Sequence, residues 1–279
     1  MTLPRFLKIT NVNCHNYEVN RVLQHLKAIE ELTIECCPSK ANAFFLLHDP
    51  IPSSFPQLRS LNLPALTMKE INRLLQASVQ LRSLSIIVSD ADEELDLTKT
   101  SALNALSIRA NAPFDAKQLL PLLLKNSKKL RTLSLSGQIS GPIDTEQLQS
   151  QITHFSLEQC HLEMECVQHL IAAMPYLESL IMGTYEGYTP QFKLPPKSLS
   201  HLKLLDVSNK SYDTKNQSLV TSETLSILLK AAVNLQELHL ERCQYVGEFF
   251  DDDDDDDEVL EIATLDIEPN SLKQLRSLY

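Results

Sequence analysis

Residues 58–63 read Leu-Arg-Ser-Leu-Asn-Leu, and residues 81–86 read Leu-Arg-Ser-Leu-Ser-Ile. Apolar side chains stand at the first, fourth and sixth positions, and polar ones fill the rest. In an extended segment the fourth and sixth residues point to one side and the third and fifth to the other. Leu-Arg-Ser-Leu returns at Leu275, with Leu-Arg-Thr-Leu at Leu130, Leu-Glu-Ser-Leu at Leu177 and Leu-Gln-Glu-Leu at Leu235. Copies of Leu-x-x-Leu-x-Leu begin at Ile29, Leu58, Leu81, Leu103, Leu130, Ile152, Leu177, Leu202, Leu235 and Ile262, 22 to 33 residues apart. Three apolar positions recur by chance in a hydrophobic chain. The shared Arg, Ser and Thr fillers and the steady spacing do not. The ninth position is Cys37, Asn111, Cys160, Cys243 or Asn270 in five copies. An amide or thiol there can bond the backbone where the strand bends away.

This pattern resembles the leucine-rich-repeat family over nearly the whole chain. The resemblance implies an α/β fold, a curved horseshoe solenoid with one short strand per repeat in a parallel sheet on the concave side. Positions one, four and six then face the core, and the residues between them face the concave surface. Ile71, Leu74 and Leu75, and Val167, Leu170, Ile171 and Met174, are spaced as one face of a helix. Helices are expected before Ile29, Leu81, Leu130, Leu177 and Leu235. Thr67 with Glu70 reads as a capping box, and Pro121 should kink or shift the helix it falls in. Pro50, Pro52 and Pro56, and Pro190, Pro195 and Pro196, mark irregular connections. Helical and irregular convex segments therefore alternate, with a double period near 50 residues. Residues 1–28 read as a cap-like repeat with a strand around Phe6–Ile9, residues 29–274 as about ten repeats, and 275–279 as an incomplete last one. Every repeat leans on its neighbours, so 1–279 is expected to be a single domain.

The chain has 279 residues and a formal net charge of −11. Asp251–Asp257 and Glu258 supply eight negative charges, and without them −11 becomes −3. Residues 248–258 are expected to form a solvated, mobile acidic loop, because consecutive aspartates repel one another. A calcium loop instead spaces its carboxylates around a glycine. Only 5 glycines are present, against Rossmann and P-loop architectures. The opening residues do not make a signal peptide, no run of about 18 apolar residues offers a membrane span, and no basic stripe offers a nucleic-acid surface. The six cysteines then read as reduced thiols in a cytosol. No Cys-x-x-Cys, His-Glu-x-x-His or Gly-x-Ser-x-Gly occurs. Cys37, Cys160 and Cys243 share one repeat position, so a structural role is favoured over a metal or nucleophilic one. No enzyme activity, metal or cofactor is expected.

The expected surface is the later concave face and its loops. Early copies present small groups such as Ser60, Asn62, Ser83, Ser85 and Ser107. Later ones present Glu158, Asp206, Glu237, His239, Glu241 and Arg242. Tyr185, Tyr188, Tyr212 and Tyr245 follow successive late strands, with Phe249 and Phe250 beside the last. Tyrosine buries large area at low entropy cost. These twelve residues, Glu158 through Phe250, are expected to grip a partner protein that carries a basic patch, with the free chain a monomer. If that partner is an enzyme, the grip inhibits it. The chain is also similar to short intracellular leucine-rich-repeat proteins, including effectors that intracellular bacteria deliver into host cells. A second reading is the substrate-recognition part of an F-box-type ubiquitin ligase, whose Leu-x-x-Leu-x-Leu-x-x-Cys pattern appears at Ile29, Ile152 and Leu235. A nuclear protein with repeats and an acidic tail ranks last, since the acidic run lies inside the repeats.

Overall fold

The computed structural model describes residues 5–12, 28–36, 55–66, 68–88, 95–96, 102–116, 128–141, 150–158, 160, 162, 164–183, 193–208, 222–240 and 272–278. The chain divides into two compact units, Met1–Ile152 and Thr153–Tyr279.

The first unit contains β1 (Phe6–Val12), β2 (Glu31–Cys36), β3 (Ser60–Leu66), β4 (Ser83–Val88), β5 (Ala105–Asp115) and β6 (Thr132–Ser140). Each strand pairs in parallel with the next in sequence. The register matches repeat positions one to one: Leu61, Leu84, Leu106 and Leu133 form one rung, and Ile86, Ile108 and Leu135 another. Those side chains are at most 1% exposed, as are Leu58, Leu81, Leu103 and Leu130 at the first position. Burying each such leucine contributes about 1.5–3 kcal/mol. Outward residues of β4 are half-buried in strict alternation with buried ones.

The second unit contains β7 (His154–Glu158), β8 (Ser179–Met182), β9 (Leu204–Asp206), β10 (Glu237–His239) and β11 (Ser277–Leu278), again parallel and in sequence order. Its inward rung is Phe155, Leu180, Leu205 and Leu238, all buried.

The strands begin in the same way in both units. Within each unit, a position-two carbonyl accepts two N–H groups, from positions two and three of the next repeat. Arg59 O takes Arg82 N at 2.7 Å and Ser83 N at 2.9 Å, and Glu178 O takes Lys203 N at 2.8 Å and Leu204 N at 3.1 Å. Before the strand, the first-position N–H of Leu58, Leu81, Leu177, Leu202, Leu235 and Leu275 bonds to the carbonyl three residues earlier. That tight turn aims the chain into the sheet.

Helices precede Leu81, Leu177 and Leu235, as the apolar spacing predicts: α1 (Met68–Ala77), α2 (Met164–Ala172) and α3 (Ser222–Ala231). Met68, Ile71, Leu74 and Leu75 form the buried face of α1, and Val167, Leu170 and Ile171 that of α2, with Met174 just beyond it also buried. The connection before Leu202 passes without a helix through Pro195 and Pro196 into turns over residues 196–201, as expected of an irregular repeat. Its backbone meets the next helix end. Leu199 N donates to Ala231 O at 3.2 Å and Lys197 N to Lys230 O at 3.4 Å, while Phe55 N likewise donates to Ala77 O at 2.7 Å. Carbonyls in the last turn of a helix have no partner within it. An irregular repeat therefore supplies the cap for the helix that follows, which gives the alternation a physical reason. The helices expected before Ile29 and Leu130, with Pro121, and the capping residue Thr67 lie outside the described residues.

β10 pairs directly with β11, Glu237 with Ser277 and Leu238 with Leu278. The Leu275 copy therefore stands beside the Leu235 copy in the sheet, and the Ile262 copy lies outside the described residues. In β5 the ninth-position Asn111 makes no bend: the strand runs on to Asp115, and Asn111 is exposed within it. Phe114, 4% exposed, pairs with Ile139 after a register shift, so apolar burial carries the strand past the bend. Close approach is needed there, since a Cβ on Gly137 (φ 85°) would lie 2.1 Å from Ala110 O.

Candidate partner-binding face

In the second unit the outward third position holds His154, Ser179, Leu204 and Glu237, and the fifth holds Ser156, Ile181, Asp206 and His239. Asp206 and His239 are direct ladder partners. His239 Nδ1 lies 3.9 Å from Asp206 Oδ2, and its Nε2 lies 3.9 Å from Glu237 Oε2. A protonated His239 would be flanked by two carboxylates. Asp206 faces outward by position yet is only 7% exposed. Its Oδ1 accepts the Ser208 N–H at 2.9 Å, which holds the carboxylate over the strand end. A buried carboxylate needs such donors, because desolvation otherwise opposes its charge. Glu237 is the accessible member of the group, with 49% of its side chain exposed.

Glu158 ends β7 and is half-buried. Across from it stands Gly183, which is buried and whose absent Cβ would lie 3.3 Å from Glu158 Cγ. The glycine leaves the glutamate stem room to lie flat. Cys160, two residues on, is 2% exposed and its Sγ donates to Glu158 O at 3.7 Å. Burial pushes the thiol up to about 12, so at neutral pH it is a protonated packing group. That agrees with a structural role for the ninth-position cysteine. Cys37 and Cys243 lie outside the described residues.

Of the sequence-derived candidates, Glu158, Asp206, Glu237 and His239 are described, and the last three come together. Tyr185, Tyr188, Tyr212, Glu241, Arg242, Tyr245, Phe249 and Phe250 lie outside the described residues, as does the acidic run of Asp251–Asp257. Sequence reading passed over a second group on the edge where the strands begin. Lys203 Nζ donates to Glu178 Oε2 at 2.8 Å, and this bond, more than any other cause, lowers the Glu178 pKa. Beside it Tyr176 is 51% exposed and its ring centroid lies 6.0 Å from that of His201. The signal was available: Tyr176 and His201 each immediately precede the first leucine of a copy, and Glu178 and Lys203 each follow it.

Among the described residues no group of three or more His, Cys, Asp and Glu side chains is arranged to hold a metal ion. Among them, too, no helix is long and apolar enough to cross a membrane. No family model matches the chain, and no curated protein does. Among solved structures it is similar to an internalin from Listeria monocytogenes, at 16% identity and a TM-score of 0.46, over 92% of this chain and 75% of that one. The parallel strand-per-repeat register, with the first and fourth positions buried from Ile29 to Leu238, gives each unit the leucine-rich-repeat fold.

Proposed function

We propose that the chain is a non-enzymatic module that binds another protein on the outward face of its second unit and on the loops that follow those strands. The observation that carries this reading is the grouping of Asp206, Glu237 and His239, with Glu158 on the same outward face. The equivalent positions of β3 to β6 hold mainly small hydroxyl residues. Charged groups fixed at a sheet surface orient a partner and reject wrongly charged ones. The loop aromatics Tyr185, Tyr188, Tyr212 and Tyr245, with Phe249 and Phe250, Glu241 and Arg242, complete the grip. The partner has a basic patch facing the carboxylates, and where it is an enzyme the grip covers its active site. The setting is a cytosol, that of the producing cell or of a host into which a bacterium delivers the protein.

The test uses the full chain as bait against lysates of the native cell and its host. A captured protein is the partner if Glu237→Lys releases it and Ser83→Ala/Ser85→Ala does not. Capture that survives Glu237→Lys and fails in the serine variant would place binding in the first unit. The acidic run acts at longer range. Replacing Asp251–Asp257 by serine slows association with that partner at low salt while dissociation stays nearly constant, because steering is screened within roughly 8 Å at physiological salt. An unchanged association rate removes the steering role.

A further inference from the structure

The second repeat position runs along the edge where the strands begin. In the first unit it holds Arg5, Glu30, Arg59, Arg82, Asn104 and Arg131. The backbone there is tied from repeat to repeat, since the carbonyls of Arg5, Glu30, Arg59, Arg82 and Asn104 each accept two N–H groups from the next repeat. Arg82 O takes Asn104 N at 2.8 Å and Ala105 N at 3.0 Å, and Asn104 O takes Arg131 N at 2.8 Å and Thr132 N at 3.0 Å. Neighbouring strands are about 4.8 Å apart, so side chains of adjacent repeats stand side by side along this edge.

Where neighbours on this row have opposite sign, they can pair. Arg5 Nη1 lies 3.6 Å from Glu30 Oε1, and in the second unit Lys203 pairs with Glu178 at 2.8 Å. Arg59 and Arg82 break that alternation. They are like charges on adjacent strands, both are exposed, and neither forms an ion pair among the described residues. Glu30, on the other side of Arg59, is turned to Arg5. Farther along, Lys128 and Lys129 are exposed in the turn that leads into Arg131, whose Nη1 donates to Gln151 O at 3.1 Å. Like charges side by side on neighbouring strands repel. An anion laid along the edge converts that repulsion into attraction for both.

We propose that this edge of the first unit binds an acidic polypeptide segment, with Arg59 and Arg82 as side-by-side forks for carboxylates and Lys128 and Lys129 as flanking charges. The guanidinium plane matches a carboxylate with two parallel N–H···O bonds, which an ammonium does not. Asn104, exposed between the two basic groups, offers an amide to the peptide backbone. Three strand intervals separate Arg59 from Arg131, roughly 14 Å, which an extended chain covers in about four residues. A short acidic stretch therefore suffices. The chemistry favours a peptide over a nucleic acid. The third-position residues beside the row are Ser60, Ser83, Ala105 and Thr132, none with a flat ring on which a base would stack. This site is separate from the face proposed on the second unit.

Fluorescence anisotropy with the full chain tests it. The probe is a labelled twelve-residue peptide of alternating Glu and Ser, compared with the same peptide carrying Gln for Glu and with oligouridylate of equal charge. Binding of the acidic peptide is expected, weakened at least about tenfold by Arg59→Glu/Arg82→Glu and by raising salt from about 50 to 300 mM. Both side chains are exposed, so the double variant should melt as the parent does. The Gln peptide should not bind. The proposal is overturned if the double variant binds the acidic peptide as the parent does, if the Gln peptide binds equally well, or if oligouridylate binds more tightly.

Discussion

Across β3 to β6 the outward third and fifth positions are Ser60, Asn62, Ser83, Ser85, Ala105, Ser107, Thr132 and Ser134. Across β7 to β10 they are His154, Ser156, Ser179, Ile181, Leu204, Asp206, Glu237 and His239. The inward rungs scarcely differ: Leu61, Leu84, Leu106 and Leu133 in one unit, Phe155, Leu180, Leu205 and Leu238 in the other. Strand length differs too. β5 runs for 11 residues, while β9 and β10 have 3 each. Longer strands hold more of each repeat in backbone pairing, with small side chains that keep the face even. Short strands release the chain after the fifth position and leave more residues to connecting segments, where recognition residues concentrate. The core is thus repeated under two different faces, and function is to be sought where the faces diverge.

The largest expected effect tests the shared core. Leu133 and Leu205 occupy the same repeat position in the two units, and both are fully buried at 0% exposure. Replacing either by alanine removes the same atoms from the same kind of rung. Each change should cost about 3 kcal/mol, within the 2–5 kcal/mol seen for such cavities, read by denaturant unfolding. If Leu205→Ala costs less than about 1 kcal/mol while Leu133→Ala costs the full amount, the second unit does not close around its leucines as the first does.

The next effect tests the divergence of the faces. Interface energy concentrates in a few aromatic anchors, each worth about 2 kcal/mol or more when truncated. Alanine at Tyr188, Tyr212 or Tyr245 should weaken partner binding at least about tenfold in one or more cases. Ser60→Ala, Ser83→Ala and Ser85→Ala should each change it by less than about 1 kcal/mol. Each variant must melt like the parent. Normal binding by all three tyrosine variants, with loss in the serine ones, would reverse the roles of the two faces.

The fold was largely legible because the inward positions obey a period, and a period is visible in one sequence. The last strand is instructive. β10 takes its neighbour from Leu275-Arg276-Ser277-Leu278, a copy that keeps the shared Arg and Ser fillers, while Ile262, Leu265 and Ile267 lie outside the described residues. The polar fillers mark this strand even though it is only two residues long. At Asn111 a local bend signal yielded to the burial of Phe114 and Ile139, which lie 11 and 9 residues from the starts of their motifs at Leu103 and Leu130. The site was legible by position only. Outward placement of Asp206 did not foretell its burial or its bond from the Ser208 N–H. The Glu178–Lys203 pair and the Arg59–Arg82 row depend on register between repeats, which stacking the copies would have exposed.

A smaller effect separates packing from chemistry at Cys160 in the second unit. Burial raises this thiol from 9.0 to about 12. The folded state therefore holds its proton where the unfolded state has lost it. The associated stability is fully present below pH 9 and falls as pH rises from there toward 12, by about 1 kcal/mol at pH 10. Cys160→Ala should lack that part of the alkaline decline, seen as a flatter stability profile between pH 9 and 10.5. Native Cys160 should also alkylate at least about a hundredfold more slowly than in denatured protein at the same pH. Rapid native alkylation would mean an accessible thiolate and would reopen the question of chemistry at this position.

The smallest effect concerns the strand-start edge, where the two units share a device. Glu178 lies beside Lys203 as Glu30 lies beside Arg5, but the first pair is closer, 2.8 Å against 3.6 Å. The Lys203 hydrogen bond, followed by its charge, lowers the Glu178 pKa. A carboxyl whose folded pKa is depressed adds stability above its unfolded pKa and loses it as pH falls through the folded one. Both side chains are well exposed, so water screens the pair and little stability is at stake. The sensitive reading is therefore the titration of Glu178 followed by NMR rather than a melting temperature. Lys203→Ala should return Glu178 toward the ordinary glutamate range and leave unfolding nearly unchanged. Raising salt in the parent should move Glu178 the same way, though less, because a direct hydrogen bond is screened less than a distant charge. If Glu178 titrates alike with and without Lys203, the pairing along this edge is incidental, and the contrast drawn between paired and unpaired rungs of the position-two row loses its basis.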